Sequence, residues 1–104
     1  LMAGLGCGQP STLAWRVLER GATAFLTIAD ELAIGALRRL GRSADGDPPV
    51  VGGESGVAGL AGFLAAAADA AIRRDLELDQ HSRVLVIGSE GASDRELYRR
   101  YLSG

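Results

Sequence analysis

The stretch 83-RVLVIGSEGASDRELYRRYL-102 decides the fold. Residues 84–88 form a continuous apolar run, which is typical of a strand buried on both faces. A glycine-framed turn follows, and residues 94–102 then alternate charged and apolar side chains at helical spacing. A second apolar run at 23–28 leads into the helical pattern of 29–41, so strands and helices alternate along the chain. This order predicts an α/β fold with two buried parallel strands and flanking helices.

Two further helices are predicted at 12–21 and 56–72, and Trp15, Phe25 and Phe63 are expected in the core. Two strands alone do not make a stable sheet, because three or more with a packed face are normally required. They would also leave long apolar edges unpaired. The sheet is therefore expected to be incomplete as a free-standing unit, and the chain is interpreted as part of a larger α/β domain or as an obligate oligomer.

Composition and charge exclude several classes of protein. The chain is 47% hydrophobic and 23% charged, as in an ordinary soluble protein, and its net charge of −2 gives little support for a nucleic-acid or anionic-membrane partner. No apolar run approaches the roughly 20 residues of a transmembrane helix. The single cysteine, Cys7, has no partner for an internal disulfide, which fits a reducing cytosolic setting. One histidine and one cysteine make a structural metal site an unfavoured interpretation.

The segment 52-GGESGVAGLAG-62 is the first candidate site. Glycines before a Glu-Ser pair that opens a helix expose free N–H groups, which is the arrangement of an anion site. The alternative is purely structural, with Glu54 and Ser55 capping the helix.

The turn after the apolar run 84–88 is another candidate. Ligands of open α/β sheets sit beyond the carboxyl ends of the strands, so Ser89 could bond a ligand heteroatom. Gly88 and Gly91 would let a ligand approach the main chain. The alternative is an ordinary turn with Ser93 or Asp94 as the helix N-cap.

The loop 3-AGLGCG-8 is the third candidate. Its glycine spacing does not match the dinucleotide fingerprint G-x-G-x-x-G, and no strand precedes it. Cys7 could be a nucleophile, but no motif links it to His81, the one histidine. Cys7 is best interpreted as a small loop residue that lies near a site. His81 is best interpreted as a solvated loop residue.

Four stretches, taken in this order, resemble the C-terminal third of the diaminopropionate ammonia-lyases: 2-MAGLGCGQPSTLAW-15, 25-FLTIADELAIGALRRLG-41, 46-GDPPVVGGESGVAGL-60 and 84-VLVIGSEGASDRELYRRYL-102. That family belongs to the tryptophan-synthase-β-like, or fold-type-II, class of pyridoxal-phosphate enzymes. The joined pattern M-A-G-L-x-C-G-x-P, G-E-S-G and S-E-G-x-x-D makes the resemblance specific. It implies that residues 1–104 are a single C-terminal segment of the lyase's large catalytic domain.

The resemblance also implies an activity and a set of site residues. The expected protein is a cytoplasmic, homodimeric enzyme that binds pyridoxal 5'-phosphate and β-eliminates 2,3-diaminopropionate to pyruvate and ammonia. In this class a hydroxyl residue at a strand end hydrogen-bonds the pyridine nitrogen, and Ser89 matches it, although the strictest register places that position on Gly88. The remaining residues that the resemblance places beside the cofactor are Gly91, Glu54, Ser55 and Gly56, and those that it places on the substrate side are Gly4, Cys7 and Gly8.

The cationic side chains of this chain are eleven arginines, and there is no lysine. Without a lysine amine the covalent attachment of the cofactor has no nucleophile, so the chain is not expected to be active alone. Two alternatives stay open at this point. One is another fold-type-II enzyme, such as a threonine-dehydratase or serine-racemase relative, and the other is a non-catalytic, self-associating domain.

Overall fold

The computed structural model describes residues 1–104 as helices joined by turns and extended segments. A short 3-10 turn at Ala3–Leu5 precedes five α-helices: α1 (Thr12–Gly21), α2 (Asp30–Gly41), α3 (Ala58–Ala68), α4 (Ala70–Asp75) and α5 (Arg95–Ser103). None of the five helices combines the length and the apolar character that a membrane-spanning helix needs.

The helix starts follow from capping side chains that are visible in the sequence. Ser11 Oγ accepts a hydrogen bond from the Ala14 N–H at 3.2 Å and begins α1. Asp94 Oδ1 accepts from the Leu97 N–H at 2.9 Å and begins α5. Because each cap satisfies a main-chain donor that has no partner inside the helix, these two starts were predictable.

The helix predicted at 56–72 is divided into two. Asp69 has an extended main chain between α3 and α4, and its carboxylate accepts from the Ala71 and Ile72 N–H groups at 2.9 and 3.0 Å. An aspartate inside an alanine-rich run competes for main-chain donors in this way, which ends one helix and starts the next.

The prediction of two buried parallel strands is wrong, because the structure contains no strand and no sheet. Residues 23–28 and 84–88 belong to no helix, and no main-chain hydrogen bond joins one run to the other. They are also not buried: Leu85 is 87% exposed and Ile87 is 75% exposed. An apolar run indicates an extended chain that prefers burial, but a strand also needs a hydrogen-bonded neighbour, and this chain does not supply one.

The core lies where α2 crosses α3. Its buried side chains are small, apart from Leu37: Ala33, Ala36, Leu37, Val57 and Ala61. Helix α5 packs on α2 as well, whereas α1 packs against no other helix.

The expectation that Trp15 and Phe25 are core residues is wrong. They contact each other, with ring centroids 6.3 Å apart, but they are 45% and 68% exposed.

Arg38 on α2 is expected to hold α5 in place. Its Nε donates to the Tyr101 carbonyl near the end of α5, where the carbonyls lack partners inside the helix and the helix dipole favours a cation. We expect Arg38→Ala to lower the free energy of unfolding by about 1–2 kcal/mol, measured by urea denaturation. Arg99→Ala is the control, because it removes an exposed arginine of α5 whose side chain makes no hydrogen bond. An equal loss of unfolding free energy in both variants would contradict the role of Arg38 in holding α5.

The loop after α2 is held by a two-point ion pair. Arg39 Nε and Nη2 donate to Asp45 Oδ2 and Oδ1 at 2.6 and 2.7 Å. These hydrogen bonds, together with the attraction of the arginine charge, hold the pKa of Asp45 below its ordinary value. A lowered folded pKa means that the pair stabilises the fold above the unfolded pKa of about 3.9 and that this contribution is lost as the pH falls through the folded pKa.

We therefore expect the Asp45 carboxylate, followed by NMR, to titrate below the value of a free aspartate. Arg39→Gln should return the pKa to the ordinary value, while Arg42→Gln, a control on the neighbouring turn, should not. An Asp45 that titrates normally in the unmodified chain would show that the pair does not persist in solution.

Candidate functional site

Three glycine-rich segments that are far apart in sequence meet in the structure at what we call the three-loop junction (residues 3–8, 52–56 and 88–93). The Gly4 N–H donates to Ser55 Oγ at 3.1 Å, which joins the first segment to the second. The Gly53 N–H donates to the Glu90 carbonyl at 3.0 Å, which joins the second to the third. The second and third segments lead into α3 and α5, which both pack on α2, so the helices bring these loops side by side.

Main chain packs directly on main chain inside the junction. Gly53 and Gly56 are both buried. A Cβ atom at Gly53 would lie 2.4 Å from the Gly91 carbonyl oxygen, and one at Gly56 would lie 2.3 Å from the Glu90 carbonyl oxygen. Only glycine allows this approach. Gly91 itself has nothing within 4 Å of its Cβ position, so the requirement for glycine belongs to the second segment.

Ser55 does not cap α3, contrary to the structural alternative. The N-cap of α3 is Val57, and no side chain caps that end. Ser55 Oγ instead accepts the hydrogen bond from Gly4, and its own hydroxyl proton has no acceptor within the chain. A serine hydroxyl is both donor and acceptor, so Ser55 keeps a proton that it can donate to a ligand. Glu54, half-buried beside it, also makes no hydrogen bond or ion pair in the chain.

Ser89 lies on the solvent side of the junction. It is exposed, and its hydroxyl makes no hydrogen bond within the chain. The alternative interpretation of this turn, a helix N-cap at Ser93 or Asp94, is confirmed at Asp94, which caps α5. The two interpretations are therefore compatible: Asp94 starts the helix, and Ser89 presents an uncommitted hydroxyl five residues before it.

Glu90 is the residue that the sequence analysis missed. A Cβ atom added to Gly4 would lie 3.1 Å from Glu90 Oε2 and 3.0 Å from Ser55 Oγ. The carboxylate and the hydroxyl therefore both approach Gly4, while the Glu90 carbonyl accepts a hydrogen bond from the Gly53 N–H. The signal was the S-E-G pattern, in which the serine hydroxyl drew attention away from the acid beside it.

Cys7 and Gly8, at the end of the first segment, make no hydrogen bond to the other two segments, and His81 lies outside the junction. Cys7 is an exposed free thiol, and Gly8 has nothing within 4 Å of its Cβ position. His81 is exposed in the turn before residues 84–88, where its Nε2 lies 3.3 Å from Gln80 Nε2. The structure contains no group of three or more side chains arranged to hold a metal ion.

The charge of the junction is negative. Glu54 and Glu90 are the charged side chains in its three segments, and neither has an ion-pair partner in the chain. An anion at the start of α3 would meet these carboxylates with no cation beside it, which opposes the anion site expected from the glycines. The junction is better suited to neutral or cationic groups of a ligand.

The chain is similar to curated diaminopropionate ammonia-lyases, which confirms the resemblance drawn from the motifs. It is 40% identical over 103 residues to those of Escherichia coli strain K12 and of Escherichia coli O157:H7, covering 95% of this chain and 26% of each relative. It is 32% identical over 103 residues to that of Salmonella typhimurium strain LT2, covering 94% of this chain and 25% of the relative. The chain thus spans about a quarter of the length of these relatives, in their C-terminal part. No protein-family profile matches it. No solved structure matches it either.

Proposed function

We propose, from this similarity, that the chain is a segment of a pyridoxal-phosphate-dependent ammonia-lyase that β-eliminates 2,3-diaminopropionate to pyruvate and ammonia. The observation that carries the proposal is the 40% identity over 95% of the chain to relatives bearing that name. The complete enzyme that we propose is a cytoplasmic homodimer, in keeping with the resemblance.

The residues of the junction fit one side of the cofactor. The uncommitted hydroxyl of Ser89 suits a hydrogen bond to the pyridine nitrogen, and the free proton of Ser55 suits a second polar atom nearby. Bound pyridoxal phosphate supplies an electron sink for the electrons released at the substrate α-carbon. A neutral hydroxyl partner does not itself protonate the ring nitrogen, which favours elimination over transamination.

The carboxylates suit the substrate that we propose. 2,3-Diaminopropionate carries two amino groups, which are cationic when protonated, and Glu54 and Glu90 give the junction the opposite charge. Opposite charges attract most strongly where water is partly excluded, and both acids are half-buried. We propose that these acids favour a diamine over a substrate with a single amino group.

Other requirements of the cofactor do not fit this chain. No lysine is present to form a Schiff base, and no arginine lies in the junction to meet the phosphate. We propose that the amine and the phosphate cradle come from residues of a lyase that correspond to the three quarters of the relatives not matched here. On this proposal the chain by itself binds the cofactor weakly and does not eliminate ammonia.

A chimera tests the proposal. The matching C-terminal quarter of the Escherichia coli lyase is replaced by this chain, and pyruvate and ammonia are measured with 2,3-diaminopropionate as substrate. We expect stoichiometric formation of both products from the chimera and none from the lyase lacking its C-terminal quarter. A folded chimera that shows the absorbance of a cofactor–lysine Schiff base but eliminates no ammonia would overturn the proposal. Faster deamination of threonine or serine would instead favour the related dehydratases.

A further inference from the structure

Glu90 reaches both of the other segments of the three-loop junction. Its carbonyl accepts a hydrogen bond from the Gly53 N–H at 3.0 Å, and a Cβ atom on Gly53 would lie 3.4 Å from its Cδ. A Cβ atom on Gly4 would lie 3.1 Å from its Oε2. The side chain therefore passes Gly53 and ends beside Gly4, so that one residue spans the junction from the third segment to the first.

The first segment of the junction depends on few interactions for its position. Residues 3–8 are exposed, and their one hydrogen bond to the rest of the chain joins the Gly4 N–H to Ser55 Oγ. Met2, just before the segment, packs against the core. A short exposed segment with one hydrogen bond opens easily, so a side chain placed beside Gly4 changes how often that bond is formed.

The Glu90 carboxylate has no partner in the chain that offsets its burial. It is half-buried, it makes no hydrogen bond, and no cation lies within ion-pair distance of it. A charge in such a place is unfavourable unless it is paired, and Glu54 adds a like charge to the same junction. Because the carboxylate approaches Gly4 without a hydrogen bond, its effect on Gly4 depends on the length and shape of the side chain rather than on its charge.

We propose that Glu90 is a positioning residue, whose side chain confines Gly4 at bonding distance from Ser55 Oγ and thereby directs the Ser55 hydroxyl proton at the ligand. A hydroxyl that accepts from Gly4 has its own proton left to donate, and hydrogen bonds in a chain strengthen one another. The step from Ser55 to the cofactor rests on the proposed function. The step from Glu90 to Gly4 is a property of the chain itself.

Amide hydrogen exchange at Gly4, followed by NMR in this chain, tests the positioning step. Glu90→Ala should speed the exchange about fivefold, an effect in the range found for coupled neighbouring residues. Glu90→Gln should leave it unchanged, because glutamine has the length and shape of glutamate without its charge. Glu54→Ala, which removes the other acid of the junction, is the matched control and should have no effect. Equal acceleration in Glu90→Ala and Glu90→Gln, or none in Glu90→Ala, would overturn the proposal.

The step from Ser55 to the ligand is tested in the chimera with the Escherichia coli lyase, through the dissociation constant for pyridoxal phosphate. Glu90→Ala should raise this constant about fivefold when Ser55 is present and leave it unchanged in the Ser55→Ala background, because the effect passes through Ser55. Glu90→Gln should bind the cofactor like the unmodified chimera. A merely structural role of Glu90 would raise the constant by the same factor in both backgrounds, and that result would also overturn the proposal.

The two experiments separate this inference from the proposed function. A chimera that binds no cofactor or eliminates no ammonia counts against the proposed function, whereas exchange at Gly4 in the chain alone still decides whether Glu90 positions the first segment. In a working chimera, Glu90→Gln should keep the cofactor affinity and raise KM for 2,3-diaminopropionate, since it keeps the shape of the side chain and loses the charge that attracts the diamine. A cofactor affinity that falls in Glu90→Gln as far as in Glu90→Ala would contradict the positioning role.

Discussion

Gly56→Ala is expected to open the three-loop junction and to remove about 3 kcal/mol or more of stability. The added Cβ would lie 2.3 Å from the Glu90 carbonyl oxygen and 3.0 Å from the Glu90 nitrogen, so main chain would have to move to make room. The main-chain conformation of Gly56 is one that alanine adopts without strain, since its φ is not positive. The clash alone therefore produces the loss, and in a small domain such a loss is a large share of the total stability.

Two measurements check this expectation. Urea denaturation followed by circular dichroism gives the change in stability, and hydrogen exchange at the Gly53 amide reports whether its bond to the Glu90 carbonyl has opened. Gly91→Ala is the matched control, because the added Cβ meets nothing within 4 Å and the residue has no positive φ. We expect it to be neutral or slightly stabilising through the unfolded state. Equal losses in both variants would mean that the close approach at Gly56 is not a feature of the folded chain.

The helices could be predicted from the sequence because their determinants are local. Ser11 and Asp94 cap α1 and α5 through bonds to residues three positions later, and those spacings can be seen without knowing the fold. The division at Asp69 rests on an equally local bond, and the sequence analysis missed it because the surrounding alanines suggested one continuous helix.

The strands were predicted wrongly because their determinants are not local. Residues 84–88 have the composition of a buried strand, yet burial and pairing both depend on a neighbour, and the chain offers none. That two strands alone would form an incomplete sheet was predictable from the sequence. The error was to expect the sheet to form in spite of that, and the exposure of Leu85 and Ile87 shows the consequence.

The candidate site lies between these two cases. Each of its three glycine-rich segments could be recognised from the sequence, but their meeting depends on α3 and α5 packing on the same helix. The ligand approach was predicted at Gly88 and Gly91. The close approach to main chain in the structure is at Gly53 and Gly56, where the approaching group is another part of the same chain. The Glu90 carboxylate lies 3.1 Å from the position that a Cβ atom on Gly4 would take, and the two residues are 86 positions apart, a proximity that no local pattern could indicate.

Ser89→Ala, introduced into the chimera with the Escherichia coli lyase, is expected to raise the dissociation constant for pyridoxal phosphate about tenfold, which corresponds to the loss of one hydrogen bond. The hydroxyl makes no bond within this chain, so its removal leaves no partner unsatisfied and should not change stability. Cofactor affinity is measured by the quenching of protein fluorescence on titration, and elimination by the release of pyruvate. Ser93→Ala, which removes another exposed hydroxyl of the same turn, is the control that should leave both unchanged.

The same experiment decides the register of the turn. In the strictest register the hydroxyl position falls on Gly88, where a Cβ atom would lie 3.7 Å from the Gly56 carbonyl oxygen and is therefore accommodated. If Ser89 holds the ring nitrogen, adding Gly88→Ser to Ser89→Ala should not recover cofactor affinity, because the hydroxyl then starts from the preceding residue and points elsewhere. Full recovery by that double change would move the role to position 88. Unchanged affinity and turnover in Ser89→Ala alone would remove Ser89 from the site. Ser55, whose hydroxyl proton has no acceptor within the chain, would then be the next residue of the junction to test for the polar contact to the ring.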